Sequence, residues 1–152
     1  MKNLKTKEQL DASIHKEVWI EHDDMGAWVD ELLAPMILLM WKLGIKTEES
    51  CQGTPTPKYP DDTGWSRIYF RDMEDPRKFL SLAFQPTIEE KKAIEEYGSL
   101  CLPFAEWKMT CLPMWSNNRI EFSIGVCFSP TMIPVLTERL RIALVLFSFG
   151  RI

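Results

Sequence analysis

Histidine is scarce in this chain: His15 and His22 supply every imidazole. A thiol-activating imidazole base must therefore be one of these two. Cysteine is also sparse, and Cys51, Cys101, Cys111 and Cys127 show no C-x2-C spacing, which excludes a zinc knuckle. There is no Gly-rich phosphate loop, Walker motif or dinucleotide fingerprint. No Lys/Arg tract is interleaved with aromatics and the formal charge is −4, so nucleic acid is not the expected partner. Long apolar runs are missing as well. "LLAPMILLMW" stops at Lys42 after ten residues, where a membrane helix needs about 20. The opening "MKNLKTKEQL" is polar where a secretory leader is apolar. The expectation is a cytoplasmic protein with free thiols, no membrane association and no cofactor.

What the chain does hold is apolar and aromatic mass. Hydrophobic residues make up 45% of 152, with six Trp and eight Phe. That is enough for a real core, and the chain reads as a single domain over 1–152. Its expected fold class is an α+β sandwich of about four mainly antiparallel strands with helices packed on one face.

The elements follow from pattern and punctuation. Residues 8–22 are expected to form a helix that puts His15, Val18 and His22 on one face. After "HDDMG", Asp24 caps a second helix running to about Leu43, with an apolar stripe from Trp28 through Met40 and Trp41. Pro35 is expected to kink it, and Gly44 to end it. A short extended segment follows in "IKTEESCQG", then a Pro-rich loop at 54–62, then a strand in "GWSRIYFRD". Asp75 before Pro76 marks the start of a short helix. Thr87 and Glu90 have capping-box spacing for a charged helix ending near Gly98. Two strands, in "FAEWKMTCL" and "RIEFSIGVCFS", are joined by a "SNN" turn. In the second, Ile120, Phe122, Ile124 and Val126 alternate with smaller or polar residues, which predicts one buried face. Ser129 and Pro130 open the last helix.

The stretch "LLMWKLGIKTEESCQG", followed by the strand "WSRIYF", resembles a pattern of small bacterial and phage proteins. In those a helix leads to Gly-Ile, a Thr, Ser-Cys-Gln-Gly and an aromatic strand. The resemblance covers residues 38–70 and implies no activity. More distantly, Ser50, Cys51 and Gly53 resemble the Ser-Cys-x-Gly segment of the wybutosine-synthesis proteins, which would imply a methyl donor and a tRNA partner. No Arg follows Gly53 and the basic surface is missing, so tRNA methylation is not expected.

Three groups of residues carry candidate chemistry. The first is the turn Ser50, Cys51, Gln52 and Gly53, where a thiol and backbone amides meet and Gly allows close approach. Cys51 there is either a small buried hydrophobe, a ligand contact or a nucleophile paired with a histidine. The second is the alternation Arg67, Tyr69 and Arg71 on one strand face, which suits an anion with Tyr69 or Trp65 covering a ring. Together these predict a binding site for a small anionic or nucleotide-like ligand. The third is the acidic set Glu17, Glu21, Asp23, Asp24, Asp30 and Glu31, read as a helical face for a basic protein or as the wet side of helices. A metal site is not expected. On one helix His15 and His22 stand about 10 Å apart along the axis, too far to share an ion. His22 with Asp23 or Asp24 offers only a weak alternative at the helix junction.

Overall fold

A computed structural model describes residues 15–53, 64–99 and 107–150. The Pro-rich loop, Cys101, and residues 8–14 of the first expected helix and 104–106 of the strand expected in "FAEWKMTCL" lie outside the described residues. Along the chain run β1 (Glu17–His22), β2 (Met25–Asp30), α1 (Ala34–Lys42), β3 (Glu49–Cys51) and β4 (Ser66–Phe70). Then come α2 (Glu74–Ala83), α3 (Ile88–Tyr97), β5 (Trp107–Ser116), β6 (Arg119–Phe128) and α4 (Ile133–Ser148), the last entered through a 3-10 turn at Pro130–Met132. The fold class is α+β. One antiparallel sheet has the order β3-β4-β6-β5, and β1 and β2 form a separate antiparallel pair.

The largest departure from expectation is at the start. Residues 17–30 form a hairpin, not the ends of two helices. The segment carries two periods at once. Trp28, Val29, Leu32 and Leu33 fit a helical stripe, but Val18, Ile20 and His22 alternate with exposed Glu17, Trp19 and Glu21. Aromatic and β-branched residues favour the pleated surface. The turn decides it: Asp23 adopts φ +52° and the register pairs His22 with Met25, leaving Asp23 and Asp24 as a two-residue loop. Asp24 is therefore a turn residue and not a helix cap.

Helix α1 is shorter than expected and begins at Ala34. Pro35 falls in its first turn, where the backbone N–H has no intrahelical partner, so no kink is needed. Gly44 does end it: at φ +79° its N–H donates to the Trp41 carbonyl, and the Ile45 N–H donates to Met40. This pair of bonds satisfies the orphan carbonyls of the last turn. Helix α2 starts at Glu74, one residue before the expected cap. Asp72 Oδ1 accepts the N–H groups of Glu74 and Asp75, both at 3.0 Å, and Pro76 sits third in the helix. The capping box of Thr87 and Glu90 is formed as expected, and Gly98 closes α3 at φ +82°.

Met36, Ile37 and Met40 of α1 are fully buried, as are Leu136 and Leu140 of α4, and the two helices pack against each other. Their sheet-side neighbours in the core are Ile68, Phe70, Val126 and Phe128, with Phe79 of α2 against the rings of Phe70, Phe128 and Trp107. Each such side chain contributes about 1.5–3 kcal/mol by leaving water. The one-face burial expected for β6 is not what forms: residues 123–128 are buried on both faces, and the outer residues 119–122 are mostly exposed. β4 pairs with residues 124–128 alone, so the β5–β6 hairpin projects beyond it. Ile120 and Phe122 are 51% and 54% exposed there, with Met114 and Trp115 of the outer strand β5 beside them. Asn117 and Asn118, at φ +52° and +59°, make the tight turn.

Candidate functional site

Strand register places the site. Cys51 lies opposite Arg67, Arg67 opposite Cys127, and Cys127 opposite Lys108. These four form a row across β3, β4, β6 and β5. In β4, Ser66, Ile68 and Phe70 turn into the core, so Arg67 and Tyr69 occupy the face away from it. The next row pairs Tyr69 with Gly125 and Gly125 with Thr110. A Cβ on Gly125 would come within 2.3 Å of Thr110 Oγ1 and 3.0 Å of the Tyr69 ring, so the two side chains close over the glycine. Lys108 Nζ lies 4.2 Å from the centroid of Trp65, a cation–π contact at the edge of the same row.

The Cys51 turn is built from three remote segments. The Asp30 carboxylate, buried at the end of β2, accepts the Gln52 backbone N–H at 2.8 Å and lies 3.0 Å from His15 Nδ1. The same Nδ1 is 3.9 Å from Cys51 Sγ. Gln52 Oε1 accepts the Leu32 N–H at 3.2 Å, and the Gln52 carbonyl accepts the Ser66 hydroxyl. Gly53 adopts φ +69°, with no room for a side chain: a Cβ would stand 2.5 Å from the Trp65 carbonyl carbon.

Burial pushes the Cys51 thiol above its ordinary range, and Asp30 adds to this. The Gly53 N–H and the Arg67 guanidinium pull the other way without winning. Burial likewise raises Cys127, against the pull of Arg67 and Lys108. The two sulfurs belong to strands two apart, about 10 Å, beyond the 7 Å limit for a disulfide. Among the described cysteines all three are free. A thiol nucleophile needs a thiolate and an in-line base. Here the thiol is held protonated and the imidazole nitrogen nearest to it lies closer to Asp30, so the arrangement favours binding over displacement chemistry.

Of the residues singled out in the sequence, Cys51, Gln52, Gly53, Arg67 and Tyr69 come together. Ser50 pairs with Ile68 and belongs to the opposite face from its neighbour Cys51. Arg71 is not on the strand, which ends at Phe70. It is largely exposed and pairs with Glu48, at the other end of the sheet from Cys51. There it borders a concavity of about 630 Å³ that also includes Arg119, Glu121 and Phe122. Both arginines at that end have carboxylate partners, since Arg119 meets Glu121 at 3.3 Å.

The acidic set does not form a helical face. Glu17 and Glu21 flank exposed Trp19 on the hairpin, Asp23 pairs with His22 at 3.3 Å, and Asp24 is in the turn. Glu31 meets Lys16 at 3.5 Å, while Asp30 is buried in the site. The sequence reading did not connect Asp30 to His15, and it did not single out Cys127 or Lys108 as site residues. For Cys127 the β6 alternation was the available signal, because it puts Gly125 and Cys127 on one face. For Asp30, the rarity of histidine was the only pointer. Comparison with known protein families, curated proteins and solved structures finds no match.

Proposed function

We propose that the protein binds a small anionic ligand, nucleotide-like in having a ring, on the sheet face around Arg67. The observation that carries this reading is Arg67 itself. It is half-buried between two thiols, and among the described residues no carboxylate forms an ion pair with it. A guanidinium held away from water without a counter-charge favours an anion that supplies one. Lys108 adds a second positive charge in the same row, and Tyr69 and Trp65 offer aromatic surface on either side.

The test is calorimetry with inorganic phosphate and a panel of nucleoside mono- and diphosphates at low salt. Arg67→Ala should weaken binding by about tenfold or more, while Arg71→Ala, whose partner is Glu48, should leave it within about twofold. Absence of binding by the unaltered protein, or equal loss from both variants, overturns the reading.

A second reading is an interaction surface for a basic protein. It draws on the hairpin, where exposed Trp19 and Trp28 meet edge to face at 5.7 Å between Glu17 and Glu21. Glu17→Lys with Glu21→Lys should then abolish capture of a basic partner while leaving phosphate binding intact.

A further inference from the structure

Three atoms of different chemistry converge beside the anion face: Nδ1 of His15, Oδ2 of Asp30 and Sγ of Cys51. All lie within 4.8 Å of one another, with Nδ1 to Oδ2 at 3.0 Å and Nδ1 to Sγ at 3.9 Å. With metal–ligand lengths of about 2.0–2.3 Å, the edges of a tetrahedral zinc site are about 3.3–3.7 Å. The two edges at Nδ1 therefore need changes of about half an ångström, and the Oδ2–Sγ edge, no longer than 4.8 Å, has about 1.3 Å to close at most.

We propose that His15, Asp30 and Cys51 form a binding site for a single zinc-type transition-metal ion. The donor set selects the metal class: a thiolate and an imidazole exclude magnesium and calcium, which take oxygen ligands, and favour zinc or a similar borderline ion. Three protein ligands leave the fourth tetrahedral corner for water or an anion. Arg67, opposite Cys51 across the strand pair, supplies a donor for such an anion.

The surroundings match a metal site as well as the three atoms do. Metal ligands are held from behind by hydrogen-bond donors. The Asp30 carboxylate accepts the Gln52 N–H, and the Cys51 sulfur faces the Gly53 N–H and the Arg67 guanidinium. His15 Nδ1 faces both the Asp30 carboxylate and the Cys51 sulfur, and Nε2 is buried without a partner among the described residues. A cation at the centre would be met by all three side chains. Nδ1 then coordinates through its lone pair and Nε2 carries the ring proton. The Cys51 S–H bond breaks, the sulfur–metal bond forms, and the proton leaves to solvent. The thiolate and carboxylate together neutralise a divalent ion, which leaves the Arg67 charge free for its ligand.

The inference does not depend on anion binding, and its test reads the metal alone. Cobalt(II) is titrated into the full-length, chelator-treated protein. The expected result is one equivalent bound, with a thiolate-to-cobalt charge-transfer band that zinc bleaches. Cys51→Ser should remove that band and lower zinc affinity by more than about the hundredfold that loss of an outer partner costs. Absence of stoichiometric binding by the unaltered protein overturns the proposal. So does a band that persists in folded Cys51→Ser, because another thiol would then be the ligand. If that variant fails to fold, zinc protection of Cys51 against maleimide in the unaltered protein decides: protection located at Cys51 by peptide mass supports the site, and unchanged labelling overturns it.

Discussion

Asp30 and Gln52 are joined across the seam between the two sheets: the buried carboxylate accepts the Gln52 backbone N–H at 2.8 Å. The same oxygen meets His15, so one side chain holds both the hairpin and the Cys51 turn. Asp30→Ala leaves a buried N–H without its acceptor and an imidazole without its partner. A loss of about 3 kcal/mol is expected in urea unfolding. Asp30→Asn keeps an acceptor oxygen and should cost less. A loss below about 1 kcal/mol for the alanine variant would show that the seam does not depend on this carboxylate.

Gly53 and Gly98 form a controlled comparison. Both have positive φ, +69° and +82°, but a Cβ at Gly98 meets nothing within 4 Å, whereas at Gly53 it strikes Trp65 backbone at 2.5 Å. Gly98→Ala should cost only the left-handed penalty of about 1–2 kcal/mol. Gly53→Ala adds a clash with unyielding backbone and should cost at least about 3 kcal/mol in total. Thermal unfolding of the two variants measures the difference. Equal shifts would mean that the Trp65 backbone gives way.

Thiol chemistry should follow burial. Cys111 is exposed and should react with iodoacetamide well before Cys51 and Cys127 at neutral pH, as peptide mass mapping would show. The pH dependence follows from the raised thiol of Cys127. Unfolded, it loses its proton around its ordinary 9.0, while the folded chain keeps the proton to higher pH. The unfolded state thus binds fewer protons above that value, and stability falls as pH rises through the window between the two values. Cys127→Ala should flatten this fall in urea midpoints measured from neutral to alkaline pH. An unchanged slope would remove Cys127 as a contributor.

Thr87 offers a control far from the chemistry. Its side chain accepts the Glu90 N–H at 3.1 Å, and Glu90 returns the bond to the Thr87 N–H at 3.1 Å. Helix α3 buries no residue, so the cap matters locally. Thr87→Ala should cost the helix about 1 kcal/mol, seen as faster amide exchange across 88–97, with cobalt and phosphate binding unchanged.

Most of the later fold was legible because single signals dominated there. Gly44, the Thr87–Glu90 box and the Asn117–Asn118 turn each satisfy a backbone demand that few residue types meet, and the structure uses all of them. The amino-terminal hairpin was not legible for the opposite reason. Its residues satisfy helical and strand periods together, and only the Asp23 turn, a tertiary outcome as much as a local one, separates the two. The site was half legible. Cys51 and Arg67 lie near enough to obvious strands for their pairing to be anticipated. Asp30 looked like one more surface acid, because nothing local distinguishes it from Glu31. Its partners, His15 and Gln52, are brought to it only by how the hairpin meets β3.

Pro113 stands in the middle of β5, the outermost strand on its side of the sheet, among exposed Leu112, Met114 and Trp115. A ten-residue rim with so much apolar surface is a ready template for another chain's strand. A pyrrolidine ring at its midpoint offers no N–H and obstructs a flush approach. That one residue weighs against stacked, open-ended self-assembly along a greasy, protruding ribbon.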